Sequence, residues 1–166
     1  TRERRFKGFA GKIGESFVKV SNHEDDFYGK LWRARKAIED RNNLSGRFAD
    51  QAIEKLKRFK IGADTDARVW YDGCLTAAAA QSILAAPSEK RQAMTKALAG
   101  TPMSGQRMLP PAHIHARAKR WTVKLFLAHW HEVAYEVRYG KKPPKPYVLS
   151  QLQHGHEIRV PNWPMM

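Results

Sequence analysis

A chain of 166 residues has the length of one domain and can bury about two-thirds of its unfolded surface without covalent staples. With 42% hydrophobic and 28% charged residues and a mean hydropathy of -0.62, the composition excludes a membrane-embedded protein and a wholly disordered one, and predicts a soluble globular chain. The 30 Lys and Arg against 16 Asp and Glu leave +14, more than solubility requires, so a polyanionic partner is expected.

From Thr1 to Val20, Phe6, Phe9, Ala10, Ile13, Phe17 and Val20 recur at helical spacing, but Gly8, Gly11 and Gly14 weaken a helix interior. The segment is either an amphipathic helix or a basic arm. Ser21 and Glu24 have capping-box spacing, with acids in the next turn, which predicts a helix from there to about Arg41 with Phe27, Leu31, Ala34 and Ile38 inward. Ser45 can cap a further helix carrying Phe48, Ala52, Leu56 and Phe59 inward and ending at Gly62.

The apolar run after Asp64 and Thr65 extends to Ala86 before Pro87 and predicts one buried hub helix that includes Cys74. Ser88 can cap a short helix ending at Gly100. Residues 101–111, rich in Gly and Pro, read as a loop or hinge. Pro110 or Pro111 can open the longest helix, 112–140, with Gly140 at its C-terminal cap; 141–166 then form an extended Pro-rich tail. The expected fold is all-α: a basic arm or helix over 1–20, a helical bundle over 21–100, and a long C-terminal helix packed on it.

The charge is uneven: +4 over 1–20, -3 over 21–29, +6 over 30–60, -2 over 61–88, +3 over 89–109, +5 over 110–142 and +1 over 143–166. The hub is acidic or neutral and the amphipathic helices are basic, as expected if their outer faces meet phosphates. On the long helix, Arg117, Arg120, Lys124, His131, Tyr135 and Arg138 fall within a sector of about 60° that holds no acid. Lys30, Arg33, Lys36, Arg47, Lys55 and Arg58 make a second basic group, partly offset by Asp26, Asp40 and Glu54. Neither has the pattern of a base-reading motif, a P-loop or a dinucleotide fingerprint.

Six of seven histidines occur as His-x-His pairs. Two residues apart on a helix point about 160° away from each other, so His113 with His115 and His129 with His131 cannot each chelate one ion. Only the tail candidates His154, His156 and Glu157 have local metal-site chemistry. His129, Glu132 and Glu136 fall near the apolar face and need partners there. Trp32, Trp70, Trp121 and Trp130 read as core anchors, whereas Trp163 in the tail either docks on another protein or folds back. The single cysteine precludes an internal disulfide, and the N-terminus lacks a signal-peptide pattern, so the cytoplasm is the expected location.

These features lead to a non-enzymatic protein that binds DNA or RNA through phosphates, as a subunit of a larger nucleoprotein assembly, with no membrane partner and no cofactor or metal. The alternatives are a small metal-dependent nuclease using the tail histidines and a basic helical protein-interaction subunit.

Overall fold

The computed structural model describes residues 2–144 and 158–163, with side chains from residue 8 onward. Among them are seven α-helices and no strand: α1 (Arg2–Lys19), α2 (Phe27–Leu44), α3 (Ala49–Arg58), α4 (Asp66–Asp72), α5 (Ala77–Ala85), α6 (Ser88–Lys96) and α7 (Pro111–Tyr139). The fold is all-α with a long C-terminal helix, as its periodicity predicts. No described helix is long and apolar enough to cross a membrane. The chain divides into two compact units, Arg33–Ala118 and a second made of Thr1–Trp32 with Lys119–Met166. Each holds 15 Lys and Arg against 8 Asp and Glu, so each carries +7.

In the unit Arg33–Ala118, the expected hub helix is two helices. Gly73 adopts a left-handed conformation (φ 75°) that closes α4, its N–H meeting the carbonyls of Val69 and Trp70. Thr76 then caps α5 by accepting the Ala79 N–H at 3.2 Å. A left-handed glycine followed by an N-cap threonine stops and restarts a helix whatever the apolar pattern around it. Cys74 and Leu75, in the connection, join Val69, Trp70, Ala80, Ile83 and Met108 in one core cluster. A second contains Phe48, Ala52, Tyr71, Leu109 and Ile114. Helix α4 packs against α3 and α6, and α6 against α5.

Residues 101–110 lack helix, but the end of this stretch is packed rather than a free hinge. Met108 and Leu109 are fully buried, and Met108 N–H donates to the Trp70 carbonyl at 2.9 Å. The buried Asn43 amide satisfies both backbone groups of Leu109: its Nδ2 donates to the carbonyl and its Oδ1 accepts the N–H, each at 2.8 Å. Helix boundaries differ from expectation for similar local reasons. Ser45 Oγ bonds the Asn42 carbonyl, so α3 starts at Ala49, and it ends at Arg58, leaving Phe59 extended and 49% exposed instead of inward. On α2, Ala34 and Ile38 face solvent, while Glu39 and Asn43 are buried. Pro87, not Ser88, occupies the N-cap position of α6.

In the other unit, Ser21 closes α1 by donating to the Val18 carbonyl at 2.8 Å, and α2 begins at Phe27 rather than in the acidic turn. Segment 2–19 is helical despite its glycines. A Cβ on Gly14 would lie 2.6 Å from Lys119 Cγ, and one on Gly29 would lie 2.6 Å from the Phe17 carbonyl and Ser21 Cα. These glycines offset their propensity cost by permitting close approach. The core is aromatic: Phe17 stacks on Tyr28 at 5.0 Å and meets Phe126 edge-on at 5.5 Å.

Replacing Asn43 with Ala should lower the stability of the Arg33–Ala118 unit by about 2–4 kcal/mol, because two buried backbone groups lose their partner. The urea midpoint checks this; an unchanged midpoint would mean that Leu109 is satisfied without the amide.

Candidate nucleic-acid interface

A long amphipathic helix must bury one face, and in the second half of α7 that face carries Thr122, Val123, Phe126 and His129. His129 is an internal strut. Its Nε2–H donates to the Ile158 carbonyl at 2.7 Å, which leaves Nδ1 to accept from the Tyr28 hydroxyl at 2.9 Å in the neutral ring. Glu136 accepts the Trp163 indole N–H at 2.8 Å, and Glu132 lies 3.8 Å from Lys142. Trp163 is half-buried, and its indole N–H is held within its own unit. No group of three or more metal-ligating side chains occurs among the described residues. The tail candidates His154, His156 and Glu157 lie outside them.

The opposite face of α7 presents cations to solvent. Arg120 and Lys124 are exposed and have no ion pair among the described residues; His131 and Arg138 are exposed as well. Along the helix His131, Tyr135 and Tyr139 form a ladder, with ring centroids 6.0 and 4.5 Å apart. The Arg138 guanidinium sits 5.5 Å from the Tyr139 ring, which is 54% exposed. Arg117 is different. Its Nε donates to Glu39 at 3.0 Å and its Nη1 to Gln51 at 3.0 Å, and its guanidinium lies 4.4 Å from the Phe48 ring. Helical spacing places it in the stripe, but a buried carboxylate holds it inside the Arg33–Ala118 unit.

The second basic group is divided between the two units. Lys30 belongs to the unit of the chain ends and donates to the Glu24 carbonyl. In the other unit, Lys36 pairs with Asp40 at 2.6 Å, while Arg33 and Arg47 are exposed. Lys55 and Arg58 come together on Phe59, at 4.7 and 5.6 Å from its ring. Lys57 and Lys60 adjoin it in sequence, so an exposed aromatic sits among four cations. Helical spacing alone places Phe59 and Trp130 inward, yet both are exposed. Phe59 was readable from its basic neighbours. Trp130, 62% exposed rather than a core anchor, is readable only once the buried arc of α7 is known to run through His129 and Phe126.

Burial raises the phenol pKa of Tyr28 and of Tyr71, whose hydroxyl lies 3.3 Å from His113 Nδ1, above the ordinary 10.0. Comparison with protein-family models, curated proteins and solved structures gives no match.

Arg117→Ala should destabilise by about 1–3 kcal/mol by leaving Glu39 with one fewer donor, whereas Arg120→Gln should change stability by under about 0.5 kcal/mol. Thermal melts of the two variants test the division of the stripe, which fails if they melt alike. A phenol whose folded pKa is raised contributes stability that is complete below its unfolded value and declines as pH climbs through the folded one. Stability should thus fall above about pH 10, and less steeply in a Tyr28→Phe, Tyr71→Phe variant. Urea midpoints at increasing alkaline pH would contradict this if wild type and variant decline in parallel.

Proposed function

We propose that this protein binds nucleic acid through its phosphate backbone, with the outward face of α7 as the principal contact. The observation that carries the reading is the exposed row Arg120, Lys124, His131 and Arg138, in which Arg120 and Lys124 have no ion pair among the described residues. Cations held unpaired on a rigid helix repel one another, and a polyanion relieves that repulsion while releasing its counterions. At 1.5 Å per residue the row extends roughly 27 Å, enough to follow several phosphates. The net +7 of the unit that carries it supplies a long-range field of the same sign. Cations without a base-reading motif suit contact that positions more than it specifies, so affinity depends weakly on sequence.

Affinity for a labelled oligonucleotide should fall steeply with salt, with a log–log slope of about -3 to -6. Changing Arg120, Lys124 and Arg138 together to Gln should reduce the magnitude of that slope by about 2–3 and weaken binding strongly at low salt, while helicity is kept. The matched variant with Lys90, Arg91 and Lys96 changed to Gln loses the same charge from α6 and should bind nearly as wild type. A flat salt response, or equal binding by both triple variants, removes the reading.

A further inference from the structure

Helix α7 leaves an apolar band uncovered beside its cations. Trp130, Ala134 and Val137 are exposed and recur at four- and three-residue spacing, so they share one side of the helix. The basic row flanks them, and the ladder of His131, Tyr135 and Tyr139 lies within and just beyond that row. Trp130 is 62% exposed, so most of its apolar surface meets water, and an aromatic occupant would recover that burial.

A second copy of this chain is a poor occupant, because joining two such faces would bring Arg120, Lys124, Arg138 and Lys141 of each copy against the same cations. Duplex nucleic acid suits the cations but not the rings, since its base faces are stacked on one another and only edges reach the grooves. A single strand offers both phosphates and free base faces, and base–aromatic stacking between cations is the usual means of holding one without reading its sequence. We infer that the α7 face takes single-stranded nucleic acid, with a base stacked on Trp130 and the phosphates running along the neighbouring row of Lys124, His131 and Arg138. This rests on the nucleic-acid reading above and adds the strandedness to it.

Fluorescence anisotropy with a labelled oligothymidylate and with a duplex of equal length tests the inference on the full chain. Wild type should bind the single strand more tightly. Trp130→Leu, which keeps helix propensity and apolar character, should lose about tenfold in single-strand affinity and under about twofold for the duplex. Trp130→Phe, which keeps a ring, should recover most of that loss. The same variants checked by circular dichroism guard against misfolding, and a Trp130→Met variant, which also lacks a ring, repeats the test should Trp130→Leu fail to fold. Equal loss on both ligands, or no loss on either, overturns the stacking inference while leaving phosphate binding intact. Single-strand affinity unchanged in Trp130→Leu, with a wild-type oligomer dissociating in sedimentation, would make the band a self-association face and overturn it too. No binding of either ligand by wild type removes both readings.

Discussion

Glu39 is 2% exposed, and a carboxylate removed from water to that degree must find charge and hydrogen bonds nearby. It accepts from Arg35 Nε and Nη2 at 2.9 and 2.6 Å through one oxygen and from Arg117 Nε at 3.0 Å through the other. Much of the unit Arg33–Ala118 is arranged around meeting that need. Arg117 reaches Glu39 only because the first turns of α7 lie beside α2, and the same placement sets its guanidinium over Phe48 and within reach of Gln51. One helical turn further along α2, Asn43 holds Leu109, just before α7 begins. A polar pair and a polar amide thus fix the register of an interior that is otherwise apolar, a means of specifying one packing that bulk hydrophobicity lacks.

The unit of the chain ends solves the same problem with rings. Phe17, Tyr28 and Phe126 pack mutually, and Tyr28 passes its hydroxyl to His129, whose other nitrogen holds the backbone at Ile158. The side of α7 that carries Phe126 and His129 is thereby occupied. Its cations are left on the far side, where no described acid meets Arg120 or Lys124. The asymmetry of α7 is what gives the proposed interface its direction, since a helix packed on both sides could not hold a polyanion along its length.

Legibility in the sequence followed the length of the signal. The 29 residues of α7 repeat their pattern often enough to outweigh local noise, and its end at Gly140 was readable from one residue. The division of the hub into two helices is hard to read because the run from Trp70 to Ala86, apolar or small apart from Asp72 and Gln81, carries little phase, so that Gly73 and Thr76 are the main marks of the break. Ser21 has the spacing of a helix opener, yet its hydroxyl closes the helix before it: either role uses the same residue type. On α2, Ile38 and Glu39 exchanged their expected places, because a buried ion pair obeys partners distant in sequence. The stripe was legible as a set of spacings, but which member pairs internally depends on Glu39, seventy-eight positions from Arg117.

Cys74 lies in the connection between α4 and α5, buried in the core cluster with its Sγ donating to the Thr101 carbonyl at 3.2 Å. It is the only cysteine in the chain. A thiol so placed reacts with a water-soluble disulfide reagent only in molecules where the surrounding core has opened. The protein consequently carries a built-in clock for the breathing of the Arg33–Ala118 unit. When reclosing is faster than modification, the labelling rate, divided by that of an exposed thiol, reads the equilibrium fraction of opened molecules without denaturant or an introduced probe.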